Sequence, residues 1–181
     1  HNDLVQGAAM AKFAWENGFR KAATVHDGSL YADKLQQVFA DEFKKLGGTI
    51  TAQEAVGPKD TDMKPMLTRV AATGPEFFYY PIFIEAGGQI TTQAQEVPGM
   101  ENVQLAGADG IFSPDFLRAA GDGALGMFWS SPDFSAFAAG YQEFLKKHED
   151  KYGEKVLAPF HSHSYDAFNI IAAAIEKVAV K

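Results

Sequence analysis

The chain has 181 residues, of which 46% are hydrophobic and 22% charged, as in an ordinary folded domain rather than a disordered segment. Its net charge of −7 argues against nucleic acid as a partner, because phosphates attract a basic surface. With no cysteine, it has no disulfide, thiolate nucleophile or cysteine-ligated metal. No apolar run approaches the roughly 18 residues of a membrane span. Because the chain begins at His1 without methionine or a leader, we expect a piece of a longer protein.

Short β-rich runs recur along the chain at a regular interval. Four of them begin near Ala22, Thr49, Glu76 and Val103, 27 residues apart each time, and a fifth covers 125–130. A parallel strand, its crossover helix and two turns need about this spacing. The sequence therefore predicts an α/β fold, with a doubly wound, mainly parallel sheet and helices on both faces.

Helical patterns lie between these runs. Apolar residues at helical spacing between positions 35 and 46 predict a helix that ends at Gly47. Asp62 is a candidate cap for a second helix over 63–72, and a third helix is predicted over 85–95.

The rhythm changes after Pro132, where two amphipathic helices are predicted over 135–152 and 164–178 with no strand between them. We therefore divide the chain into an α/β lobe, 1–132, and a helical segment, 133–181. Each predicted helix carries an apolar stripe that needs a partner surface. We expect the two helices either to fold back onto the lobe or to drive self-association.

Motifs for cofactor, metal or nucleophile chemistry are weak. The glycines of 121–126 have the letters of a dinucleotide fingerprint, but they precede a predicted strand instead of joining a strand to a helix. His161 and His163 form the only histidine cluster, and a metal would need a third ligand. We interpret them as polar residues at a helix entrance. No Gly-x-Ser-x-Gly elbow is present. No cofactor, metal or enzymatic activity is predicted.

The carboxyl ends of the predicted strands carry the most informative residues. The first strand leads into Tyr31, the third into Phe83 and the fourth into Asp109. Ligands of open α/β sheets bind at this edge, so we expect the three to converge. A lone carboxylate facing aromatic rings can bind an ammonium group, but it lacks a second group for acid–base catalysis. In the alternative, Asp109 caps a turn, Tyr31 opens a helix and Phe83 belongs to the core.

Several segments, in order along the whole chain, resemble the second lobe of type I periplasmic binding proteins, and in particular the leucine/isoleucine/valine-binding group that serves ABC transporters. The matching segments are Asp3-Leu4-Val5-Gln6-Gly7, Val25-His26-Asp27 with Tyr31, Glu76-Phe77-Phe78-Tyr79-Tyr80, Gly88-Gln89, Gln93-Ala94-Gln95, Ala108-Asp109-Gly110, Lys151-Tyr152-Gly153 and Tyr165-Asp166-Ala167.

The resemblance implies a receptor outside the cytoplasm, in the periplasm or at a cell surface, that closes two lobes around a small molecule and performs no chemistry. It implies a branched-chain or other hydrophobic amino acid as ligand and an ABC permease as partner. By the same resemblance, Asp109 would hold the ligand's α-ammonium, and Tyr31, Phe83 and Phe160 would line the site. The segment 133–181 would return to a first lobe that this chain lacks.

The chain departs from the family pattern at the predicted walls of the site. Ala32 replaces a glycine, Phe83 lacks a hydroxyl, and Pro81-Ile82 replaces a glycine-rich turn. An aromatic or larger aliphatic amino acid therefore fits as well as leucine. The alternatives are a ligand-sensing domain of a receptor or regulator with the same fold, an α/β enzyme, and a purely structural module.

Overall fold

The computed structural model describes residues 2–57, 59–132, 138–156 and 160–179. The chain forms two compact units, an α/β unit up to Ser131 and a helical unit from Pro132 onward. This division lies one residue before the one predicted from the sequence.

The α/β unit contains one parallel sheet of five strands in the order β2-β1-β3-β4-β5. The strands are β1 (Lys21–His26), β2 (Thr49–Ala55), β3 (Phe77–Tyr79), β4 (Gln104–Gly107) and β5 (Phe128–Trp129). The helices are α1 (Asp3–Glu16), α2 (Leu30–Lys45), α3 (Lys64–Ala72), α4 (Ile84–Ala94) and α5 (Pro114–Ala120). The predicted α/β fold is confirmed.

Two apolar cores lie on opposite faces of the sheet, and β3 contributes to both. Because successive strand residues point to opposite faces, Phe77 and Tyr79 join the core with α1 and α2, whereas Phe78 and Tyr80 join the core with α3, α4 and α5. All four are fully buried. A continuous run of aromatics is therefore what a central parallel strand requires.

Helix boundaries follow local capping chemistry. Helix α2 begins at Leu30, and its N-cap Ser29 accepts a hydrogen bond from the Ala32 amide at 3.1 Å. The predicted stop is confirmed at Gly47, whose φ of 101° favours glycine. The predicted cap of the next helix was wrong by one residue: Met63 is the N-cap of α3. Asp62 lies before it and accepts from the Lys64 amide at 3.2 Å.

The two edge strands of the sheet differ in length. β5 has only two residues. β2 has seven, but its register with β1 shifts between Ala22 and Ala23, so that Thr51 is an extra, bulged residue. On the same strand, Glu54 forms an ion pair with Arg69 at 2.6 Å.

The helical unit contains α6 (Ala138–Tyr152) and α7 (His161–Val178). Helix α7 begins three residues before the predicted start, and the predicted start of α6 lies outside the described residues. Most large apolar side chains of α7 are exposed, namely Tyr165, Phe168, Ile170, Ile171, Ile175 and Val178. In the part of the chain that the structure describes, no helix is long and apolar enough to cross a membrane.

Candidate ligand-binding site

Three residues predicted to converge do so at the carboxyl edge of the sheet. Tyr31 lies in the first turn of α2, Phe83 caps α4, and Asp109 follows β4. The Tyr31 hydroxyl donates to Asp109 Oδ1 at 2.9 Å, and the Tyr31 and Phe83 rings are 5.3 Å apart between centroids. The expected cluster of one carboxylate and two aromatic rings is therefore present, and its role as a binding site stays a prediction.

Asp109 is a nearly buried carboxylate, with 7% of its surface exposed. Its Oδ1 accepts hydrogen bonds from the Tyr31 hydroxyl and from Gln6 Nε2. Among the residues that the structure describes, no lysine, arginine or histidine forms an ion pair with it. Burial of a charge without an opposite charge is costly, so this carboxylate is suited to a cationic ligand.

Tyr31 makes two hydrogen bonds through its hydroxyl group. Its hydroxyl accepts from the Gly110 amide at 3.1 Å while it donates to Asp109. Burial raises the pKa of the Tyr31 phenol far above its usual range, and the negative charge of Asp109 adds to that rise. Tyr31 therefore stays neutral and acts as a hydrogen-bond donor to the carboxylate at any physiological pH.

Gly110 makes this close approach possible. A Cβ atom at this position would lie 2.7 Å from the Ile82 carbonyl oxygen and 3.2 Å from the Tyr31 hydroxyl. Any larger residue would push the tyrosine or the loop before α4 away from the carboxylate.

Phe83 is a surface residue of this edge. Its side chain is 48% exposed, although it packs against Tyr31, so the alternative that Phe83 belongs to the core was wrong. Two further aromatic rings lie on the same edge and were not predicted: Phe112 follows Asp109 by three residues, and Trp129 ends β5. Their ring centroids are 6.0 Å apart.

Gln6 of α1 is the polar contact that the sequence analysis missed as a site residue. It is 4% exposed, and its Nε2 donates to Asp109 and to Ser130 Oγ, the latter at 3.0 Å. Gln6 lies one and two turns before Met10 and Ala14 on the buried face of α1. A polar residue on an otherwise apolar stripe was the available signal.

Phe160, the fourth predicted site residue, belongs to the helical unit. It is the N-cap of α7, it is 42% exposed, and its ring lies 6.0 Å from that of His163. Its participation in the same site stays a prediction.

The weak motifs have structural roles. His161 begins α7, as expected for a polar residue at a helix entrance. Within the described ranges, no three histidine, aspartate or glutamate side chains are close enough to hold a metal. Gly121–Ala124 forms a short 3₁₀ turn before β5, so it does not connect a strand to a helix N-terminus as a dinucleotide site requires.

A family model described as periplasmic binding protein matches residues 2–180. The chain belongs to the periplasmic binding protein family. The resemblance found in the sequence is thereby confirmed. Members of this family bind solutes and are not enzymes, so the prediction of a non-enzymatic protein is confirmed too.

Relatives and solved structures of periplasmic binding proteins agree with this assignment. The chain is 24% identical to Leu/Ile/Val-binding protein homolog 3 of Brucella melitensis, over 97% of its own length and 47% of the relative's. A leucine-binding protein of Thermotoga maritima has the same fold, with a TM-score of 0.85, 24% identity and coverage of 97% and 50%. A Streptococcus pneumoniae branched-chain amino acid transporter binding protein, in complex with isoleucine, is similar with a TM-score of 0.81 and 24% identity. The match covers 96% of this chain and 50% of that protein. The chain thus spans about half the length of these proteins.

Proposed function

We propose that this chain forms one side of the binding site of a solute receptor. The receptor would bind an amino acid outside the cytoplasm and deliver it to an ABC permease. The observation that carries the proposal is the buried carboxylate of Asp109, which has no counter-ion among the described residues and lies beside two aromatic rings. The relatives include leucine-, isoleucine- and valine-binding proteins, which supports the same class of ligand.

The ligand's ammonium group would donate charge-assisted hydrogen bonds to Asp109, while the Tyr31 and Phe83 rings offer cation–π and apolar contact. Because Phe83 has no hydroxyl, the two rings favour a ligand with a hydrophobic side chain. That side chain can be branched, a larger aliphatic group or aromatic. Phe160 would add a further apolar wall, and the first lobe would contribute contacts to the ligand's carboxylate. A receptor or regulator that senses the same ligand would use the same binding step with a different partner.

The test is a thermal-shift and calorimetric screen of the protein at its full encoded length, against the standard amino acids and their deaminated analogues. We expect a hydrophobic amino acid to raise the melting temperature, because a ligand present at about 100 times its Kd stabilises the folded state by roughly 2.7 kcal/mol. Asp109→Asn keeps the size of the side chain and should abolish the shift.

Asp27→Asn is the matched control for this variant. Asp27 is also buried, at 5% exposure, and also follows a strand at the same edge, but its carboxylate accepts from the Ser29 amide at 2.9 Å. This variant should keep the ligand-induced shift. Binding that survives Asp109→Asn, or a preference for the deaminated analogue, would contradict the proposed ammonium site.

A further inference from the structure

A buried polar cluster joins α1 to the ends of β4 and β5, directly behind the Asp109 carboxylate. Gln6 is its centre, because its Nε2 donates to Asp109 Oδ1 and to Ser130 Oγ. The orientation of the amide is determined by chemistry: an ionised carboxylate only accepts hydrogen bonds, so the NH₂ group must face Asp109. The opposite orientation would place two oxygen atoms against each other.

This orientation leaves one buried polar atom without a partner. Gln6 Oε1 is buried and has no hydrogen bond among the described residues. An unpaired buried polar atom lowers the stability of the folded state. A methionine at position 6 would fill similar space without that cost. Stability alone therefore does not explain a glutamine here, and unpaired buried groups of this kind are concentrated at functional sites.

A second buried glutamine shows the contrast. Gln36 of α2 is also 4% exposed, but its Oε1 accepts from Thr24 Oγ1 at 2.9 Å. The side-chain oxygen of Gln36 therefore has a partner, and its Nε2 donates to Asp33 Oδ1 at 3.4 Å. Gln36 stabilises a contact between α2 and β1, whereas Gln6 keeps an unpaired oxygen and donates to the carboxylate of the candidate site.

We propose that Gln6 is a positioning residue for ligand binding: with Tyr31, it holds Oδ1 of Asp109 from two directions, so that Oδ2 is presented to the ammonium group of the ligand. Both described hydrogen bonds to this carboxylate end on Oδ1. Two donors on one oxygen fix the rotation of the carboxylate before the ligand arrives, and this lowers the entropy cost of binding. The inference rests on the proposed function, because it assigns Gln6 a role at that site.

The test compares Gln6→Met with its matched control Gln36→Met in the protein at its full encoded length. The probes are L-leucine, measured by calorimetry, and its deaminated analogue 4-methylpentanoate, measured by ligand-observed NMR. A charge-assisted hydrogen bond contributes enough to predict a loss of about tenfold or more in leucine affinity for Gln6→Met. The affinity for 4-methylpentanoate should change by less than about twofold, since it has no ammonium group to position.

A purely structural role of Gln6 would reduce the affinity for both probes equally, and that result would overturn the inference, as would an unchanged leucine affinity. Gln36→Met should leave the ratio of the two affinities unchanged. If the melting temperature of Gln6→Met is also close to that of the unmutated protein, the loss of affinity is not a consequence of unfolding.

A measurement without ligand separates this inference from the proposed function. In ¹H–¹⁵N spectra, Gln6→Met identifies the side-chain amide resonances of Gln6, and Asp109→Asn should shift them more than those of Gln36. Unshifted Gln6 resonances would overturn the positioning contact even in a protein that binds leucine. Conversely, shifted resonances in a protein that binds no amino acid would overturn the proposed function while keeping the contact.

Discussion

Gly110→Ala tests whether the close approach of three loops at the sheet edge depends on the absence of a side chain at position 110. The added Cβ would lie 2.7 Å from a backbone oxygen, that of Ile82, and 3.2 Å from the Tyr31 hydroxyl. A backbone oxygen cannot rotate away as the end of a flexible side chain can. The loops must therefore separate by several tenths of an ångström, and overpacking of this kind costs about 1–3 kcal/mol.

Urea unfolding, followed by tryptophan fluorescence, measures the change in the free energy of unfolding of the α/β unit alone. Both tryptophans of the chain, Trp15 and Trp129, lie in that unit. A loss of about 2 kcal/mol should lower the urea midpoint by roughly 1 M, for a slope near 2 kcal/mol per molar. The same variant should weaken binding of an amino acid, since it displaces the hydroxyl that donates to Asp109.

Gly140→Ala is the matched control, because a Cβ added at this glycine of α6 would meet no atom within 4 Å apart from the adjacent backbone of its own helix. It should leave the tryptophan transition unchanged. An unchanged midpoint in Gly110→Ala would refute the reasoning that this glycine is required by packing. A lowered midpoint with full ligand affinity would show instead that Tyr31 keeps its place by another route.

Two more predictions concern pH and association. The Arg20 and Lys21 amides donate to Glu76 and hold its pKa below the usual 4.5, so the stability that this carboxylate adds is present above pH 4.5 and is lost as pH falls through the lower folded-state value. Between pH 5 and 3, Glu76→Gln should therefore show a shallower fall in urea midpoint than the unmutated protein, and equal slopes would contradict this cause. The 181-residue chain should also self-associate through the exposed apolar face of α7. Phe168→Asp, at a side chain that is 69% exposed, should shift it towards monomer in sedimentation velocity, and a monomeric unmutated chain would refute this expectation.

The parts of the site that follow strands could be predicted from the sequence, because the order of strands and helices determines where the carboxyl ends of the strands meet. Tyr31, Phe83 and Asp109 each lie just after a predicted strand, so their convergence followed from topology. Gln6 follows no strand. It reaches Asp109 only because α1 packs across the sheet, and its place on the apolar stripe of α1 does not indicate which group it contacts.

Two helices, α5 and α7, also differ from what the sequence predicted. Helix α5 was not predicted, since seven residues are too few for an apolar periodicity. Its start was nevertheless signalled by Ser113, which accepts from the Asp115 amide at 3.0 Å, and by Pro114 in the first turn. Helix α7 begins at His161 without a side-chain cap, whereas the nearest serine that could cap it pointed to a start at Ser164.

The two edges of the sheet limit how copies of this protein can come together. A regular exposed strand is a template for another chain, and repeated strand addition leads to fibrils. β5 is too short to act as such a template, while β2 carries a bulge at Thr51 and a charged pair at Glu54 that interrupt its outer edge. Assembly through the exposed apolar face of α7 can therefore occur without growth of a continuous intermolecular sheet. The fluorescence of a dye specific for cross-β structure should not increase while the chain associates.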